Sequence, residues 1–289
     1  MPLLGTFSVS VQPRERASAS VALPRFAEPP VVEVAISVQF ETLAGLQLVD
    51  FGLFWDRIRT RYPRTQQHPP IPPVVELFGG QTQRLQFRVE PAFTPGRCWY
   101  LSSDGHRLLQ LQPDRFILNW QKQDSGTPYP SYDTLRDEFR HELESFLAFA
   151  AERQLGAFEP TQCELIYVNH LVAGQEWATV SDLPDVLRPW TGTARGMSLP
   201  DVEDVRLAWQ YRFGGEGRPL GRLHVQLHSA VRTVDARQVF ALQLTARGAP
   251  GEGGVDGVLA FTDKAHEWVV NGFADITTDR MHQRWGRQQ

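Results

Sequence analysis

The sequence predicts an α+β fold of antiparallel sheets with long packing helices, and its element order suggests two similar β-α-β(n)-α halves of the saddle-like or helix-grip-like kind. Three observations lead there. Apolar residues recur at period 2 in many short runs bounded by Gly, Pro and Asp. Two long stretches, near 131–154 and 256–283, carry apolar residues at helical spacing instead. The elements come as a strand, a helix, several strands and a long helix, and then the same again, whereas a parallel sheet needs a crossover between its strands.

Residues 1–28 are rich in Ser, Ala, Pro and Arg and read as a flexible N-terminal arm with one edge strand at 6–12. The first α+β half spans 29–156 and the second 157–289, the two forming one compact unit. Val31–Phe40 is a strand with Val32, Val34, Ile36, Val38 and Phe40 on one face. A helix follows near 47–62, its stripe made by Phe51, Phe54, Trp55, Ile58 and Tyr62, and Pro63 stops it. His68–Pro73 is a rigid proline-rich connector. Strands are expected at Gln83–Glu90, Cys98–Ser102, Arg107–Gln112 and Phe116–Gln121, with Asp104-Gly105 as a tight turn whose two central residues both take positive φ. Asp124–Pro130 is a loop. In the long helix at 131–154, Leu135, Phe139, Leu143, Phe146, Leu147 and Ala150 form the apolar stripe; Ser131 or Asp133 caps it and Gly156 ends it.

The second half begins with a strand at Gln162–Val172 and a short helix at Ser181–Trp190. Strands at 203–213, 220–232 and 237–247 follow, then the glycine-rich loop Gly248–Gly254 and a last helix over 256–283.

Composition narrows the function classes. A chain of 289 residues has room for one large domain or two intimate halves. An apolar fraction of 42%, with eight Trp and seventeen Phe, excludes wholesale disorder. Lysine stands only at positions 122 and 264, and arginine carries nearly all the positive charge. A net charge of −4 argues against a nucleic-acid partner, because neutralising phosphates needs clustered cations. The run Arg280, His282, Arg284 and Arg287 is a local exception and reads as a frayed basic tail. Cys98 and Cys163 make no disulfide framework and read as small buried hydrophobes in a reducing compartment. No membrane span and no signal peptide are legible, so a cytoplasmic location is expected.

The familiar catalytic signatures fail one by one. Neither lysine sits in a phosphate loop, Gly251–Gly254 lacks the closing glycine of a dinucleotide fingerprint, and GxSxG and HExxH are absent. His224 and His228 stand four apart in text that alternates like a strand, which separates them by roughly 13 Å, too far to share a metal. Ser102–His106 holds a nucleophile, an acid and a base but reads as a hairpin turn, and Glu138, Glu142 and Glu144 read as a solvated helix face. No cofactor and no metal site are expected.

One region gathers aromatic and amide groups. Asn119 and Trp120 end a strand, while Tyr129 and Tyr132 flank the start of the long helix, whose unpaired N–H groups can hold an anion. Asn169 and His170, at the end of a strand in the second half, are companions. The same Trp120 and Tyr132 also suit plain packing of helix onto sheet.

Five short stretches carry a resemblance. They are Pro29–Glu33, Leu109–Arg115, Asn119-Trp120 with Tyr129-Pro130, Tyr167–Asn169, and the closing helix around His266, Phe273 and Ile276-Thr277. Together they resemble a sporadically distributed prokaryotic protein family of unknown function, over roughly residues 28–280. The resemblance implies a soluble prokaryotic protein and no assigned reaction; patchy distribution goes with mobile-element or defence-related gene neighbourhoods.

The residues therefore favour a non-enzymatic binding module for a protein partner or small ligand. The competing reading is a hydrolase-like enzyme whose site is assembled between the two halves, which a pocket with converging titratable groups would support. A nucleic-acid binder using a curved sheet comes third and would show salt-dependent retention on nucleic acid.

Overall fold

The computed structural model describes residues 22–78, 96–123, 126–192, 200–214, 219–232 and 234–288. The chain is α+β. Its strands are β1 (Val31–Phe40), β2 (Arg64–His68), β3 (Arg97–Leu101), β4 (Arg107–Gln112), β5 (Arg115–Gln121), β6 (Pro160–Val172), β7 (Leu207–Phe213), β8 (Gly221–Val231) and β9 (Gln238–Gly248). The helices are α1 (Leu48–Ile58), α2 (Tyr132–Glu152), α3 (Val255–Ile276) and α4 (Asp279–Arg284), with a 3-10 turn at Val180–Asp185.

Among the described residues the nine strands form a single sheet in the order β2-β3-β4-β5-β1-β6-β9-β8-β7, each neighbouring pair antiparallel. The first strand of each half lies at the centre, where Ile36 faces Leu165 across β1 and β6. From that seam both halves run outward by the same path: the last strand of the half returns beside the first, and the earlier strands lie progressively further out. The repeated element order thus becomes an approximate two-fold arrangement about the β1–β6 seam.

Period 2 divides the sheet into two faces. One face carries Val34, Ile36, Val38 and Phe40 of β1, Leu165 and Tyr167 of β6, and Leu242, Leu244 and Ala246 of β9, all buried in one core with α1, α2 and α3. Fully burying each such side chain contributes about 1.5–3 kcal/mol, so helix docking on this face dominates stability. Phe54 of α1 packs 5.9 Å from Tyr100 of β3 and 5.4 Å from Phe146 of α2, which ties the three elements together. Under α3 the paired Gly221 and Gly248 let the helix approach the sheet; a Cβ on Gly221 would lie 2.5 Å from the Arg247 carbonyl oxygen and 2.9 Å from the Trp268 ring.

Several sequence expectations change. Val32 leaves the core and Val31 enters it, because the register shifts between Val31 and Glu33. In the turn after β3 only Gly105 has positive φ (77°), and Ser102 closes the loop through Asp104 and the Arg107 backbone N–H, so the two-residue primed turn is not used. The αL residue after α2 is Gln154 (φ 55°), two positions before Gly156. The last long helix breaks: Thr277 bonds back to the Phe273 carbonyl at 2.6 Å, and Thr278 caps α4 through the Met281 N–H. The expected helix at Ser181–Trp190 is a 3-10 turn holding Pro184. Strand β2 was not legible, since Arg64–His68 is polar throughout and lies at the sheet edge. The expected strands at 6–12 and Gln83–Glu90 fall outside the described residues.

Arg25–Glu28 are held by the C-terminal segment: the Ala27 N–H donates to the Gly286 carbonyl at 3.0 Å, and Phe26 packs edge-on against Phe273. The basic C-terminal run is not a frayed tail. Arg280 pairs with Asp185, Arg284 with Glu176, and His282 is buried beside Thr277.

Candidate functional site: a polar sheet face crossed by the proline-rich segment

The face opposite the helices is polar. Strict alternation that sends Val38 to the core sends Ser37 and Gln39 to the other side, and cross-strand register then gathers polar residues into transverse rows. Gln112 of β4, Arg115 of β5, Gln39 of β1 and Gln162 of β6 form one row. Glu164, Arg247 and Arg222 form part of the next, on β6, β9 and β8.

Residues 69–78 cross this face from strand to strand, meeting β4, β5, β1, β6 and β8 in turn. Pro69, Pro70, Pro72 and Pro73 have no N–H to satisfy and stiffen the segment. Three of the donors that remain find glutamines. The Ile71 N–H donates to Gln112 Oε1 at 2.9 Å, and Gln112 Nε2 donates back to the Ile71 carbonyl at 3.0 Å. Arg115 donates to the Pro72 carbonyl at 3.1 Å, the Val74 N–H to Gln39 Oε1 at 3.0 Å, and the Glu76 N–H to Gln162 Oε1 at 2.8 Å. The geometry is self-consistent. From β4 to β6 is three strand spacings, about 14 Å, and five residues of polyproline-type chain span about 15.5 Å.

At the far end the Glu76 carboxylate is buried, with its side chain only 6% exposed. It is held by Arg222, by His224 Nε2 at 2.8 Å and, more distantly, by Arg247 Nη1 at 3.7 Å. Arg222 also donates to the Leu77 carbonyl at 2.7 Å and lies over the Phe78 ring. Arg247 is shared with Glu164. A buried carboxylate needs such partners, because removing one leaves an uncompensated charge. A cavity of about 320 Å³ adjoins this cluster between β7 and β8, lined by Ala208, Gln210, His224 and Gln226 among others.

The near end of the face is cationic. Arg97 donates to Gln110, Gln110 to Asn119 and Asn119 to Glu33, at 2.8, 2.7 and 2.7 Å, a relay over four adjacent strands. Burial pulls both the Arg97 and Arg115 guanidinium groups below the usual arginine range. The buried Nε of each and the Trp99 Nε1 have no hydrogen-bond partner among the described residues.

The six residues singled out from the sequence divide between the two faces. Asn119 and His170 belong to the polar face, His170 opposite Ala241, with burial lowering the pKa of its ring. Trp120, Tyr129, Tyr132 and Asn169 belong to the helix side. There Trp120 lies 5.4 Å from Tyr129, whose hydroxyl shares a 2.7 Å hydrogen bond with Tyr167. Tyr132 stacks on His266 at 3.9 Å and donates to Asp263, which also receives Arg136. Burial pushes Tyr129 up to about 12 and His266 down to about 4, so both are uncharged at neutral pH beside the Arg136–Asp263 pair. It joins α2 of the first half to α3 of the second. Asn169 donates to the Leu242 carbonyl at 3.2 Å and is spent on the sheet.

Glu142 is not solvated: it is buried and takes two hydrogen bonds from Arg61, while Glu138 pairs with Arg107. A larger cleft of about 690 Å³ lies between α1 and the β2–β3 edge, with Cys98 and His68 in its lining. Burial raises the pKa of the Cys98 thiol, which disfavours the thiolate a nucleophile needs.

Sequence reasoning missed Gln39, Gln112, Gln162, Glu76, Arg222 and Arg247. The available signal was glutamine on the strand face opposite the apolar one, where an amide that becomes buried demands a partner. No family model matches the chain, and no curated protein matches it.

Proposed function

We propose that the chain is a non-enzymatic binding module that receives an extended polypeptide segment of a protein partner across its polar sheet face. The observation that carries this is the row of Gln112, Gln39 and Gln162, which accepts the backbone N–H groups of Ile71, Val74 and Glu76. Contacts to backbone are indifferent to side-chain identity, so a face that holds one extended segment this way is suited to others. Extended peptides are commonly read by such backbone bonds plus a few specific side-chain pockets. A cytoplasmic partner in a mobile-element or defence setting fits the resemblance carried by the short motifs at 29–33, 109–115 and 167–169.

The test places a photo-crosslinking amino acid at Gln226, exposed on the polar face, or at Asp137, exposed on α2, and captures the partner from the native host. Crosslinks from position 226 alone are expected. Crosslinks from position 137 alone would overturn the assignment of this face.

A further inference from the structure

We infer that Arg222, His224 and Arg247 form a carboxylate-binding site for an acidic, extended polypeptide supplied by a partner, and that residues 71–76 are the chain's own occupant, which that polypeptide displaces. The inference rests on the binding reading above and adds the ligand class and its competitor.

Charge complementarity identifies the occupant. Arg97, Arg115, Arg222 and Arg247 face this side of the sheet against Glu33 and Glu164, in a chain whose net charge is −4. Of the two pocket arginines, Arg247 is already matched by Glu164, so Glu76 is the carboxylate that answers Arg222 and His224 among the described residues. Apart from the Phe78 ring under Arg222, the segment bearing Glu76 is held by hydrogen bonds to main-chain atoms of Ile71, Pro72, Val74, Glu76 and Leu77. A partner segment needs only extended backbone and one carboxylate about five residues beyond its first contact to reproduce them. The row of amide side chains favours a polypeptide over a nucleic acid, because a phosphodiester backbone has no N–H groups for three glutamine oxygens to receive.

An internal occupant acts at a high effective concentration, so it masks the site from weak ligands. Pocket variants alone are poor probes, since they weaken occupant and competitor together. Variants of the occupant separate the two.

The experiment measures binding of a fluorescent peptide with the sequence of residues 68–78 to the full-length chain by anisotropy. Glu76→Gln chain is expected to bind it at least tenfold more tightly than wild type. A peptide with Gln in place of its Glu is expected to bind the same variant at least tenfold more weakly, and adding Arg222→Ala to the chain is expected to abolish binding. Val74→Pro, which removes the N–H that Gln39 receives, is a second way to release the segment should Glu76→Gln fold poorly. Equal binding by wild type and both released variants, each with a cooperative melt, would overturn the inference. Tighter binding of a single-stranded oligonucleotide than of the peptide would overturn it in favour of phosphate. If crosslinking maps the partner to position 226 while the peptide fails to bind, the carboxylate inference falls and the binding face stands; if crosslinks come from position 137 alone, the face falls too.

Discussion

Gln162 Oε1 receives the backbone N–H of Glu76 at 2.8 Å, although 86 residues separate the two in sequence. The same Glu76 sends its carboxylate past β6 to Arg222 and His224 on β8. One residue is thus read twice, by backbone and by charge, and the two readings are carried by different strands. This pairing of indifferent and specific contacts is what a peptide-binding surface requires.

Removing the amides should loosen the segment without disturbing the sheet. Gln162→Ala loses one hydrogen bond and Gln112→Ala three, two to Ile71 and one to Asp114, at about 0.5–1.5 kcal/mol each. Denaturant titration is expected to show a small drop for Gln162→Ala and a larger one for Gln112→Ala, with m unchanged.

Trp120→Ala should act on stability. Trp120 is 1% exposed and among the largest fully buried side chains, so truncation is expected to cost about 3–5 kcal/mol. Tyr129→Phe removes only the hydroxyl that meets Tyr167 and should cost about 1 kcal/mol. Thermal melts of the two variants should differ accordingly.

Acid should weaken the junction of α2 and α3. Burial holds His266 at about 4 against an ordinary 6.5, opposed by Asp133, Asp263 and Glu267. Between these values the unfolded chain binds the extra proton, so stability rises with pH across this window and is lost as pH falls from 6.5 towards 4. The whole effect is at most about 3 kcal/mol. His266→Phe is expected to flatten the dependence of Tm on pH between 4 and 6.5; an unchanged slope would remove His266 as its source.

Gly221→Ala should destabilise by about 1–3 kcal/mol, the usual cost of forcing volume into a close-packed contact, because its Cβ would meet the Arg247 carbonyl and the Trp268 ring. A melt unchanged from wild type would mean that α3 shifts away from β8 at no cost.

The fold class was legible because its signals are local. Ile36, Val38 and Phe40 alternate, and Leu135, Phe139 and Leu143 recur at helical spacing, each pattern complete within one element. The polar face was not, because it exists only in register: Gln39, Gln112 and Gln162 become neighbours through strand pairing. The proline run was read as a stiff connector, and nothing within it tells that Ile71 would lie on Gln112. Strand alternation makes His224 and His228 solvent- or groove-facing and too far apart to share a metal, but it does not point to Glu76, which reaches His224 from a segment that crosses strands. The aromatic residues near 120–132 attracted notice by composition, the property that a packed seam between two helices shares with a binding site.

The most direct test is native-state amide hydrogen exchange on the full chain, comparing Ile71, Val74 and position 76 with Ile36 and Leu165 at the β1–β6 seam. A displaceable occupant opens without global unfolding, so the segment's amides should exchange faster than those of the seam. Glu76→Gln should speed the segment at least tenfold further and leave Ile36 and Leu165 unchanged. Exchange of the segment in step with the seam, in wild type and variant alike, would make residues 71–76 a fixed part of the fold and contradict the account.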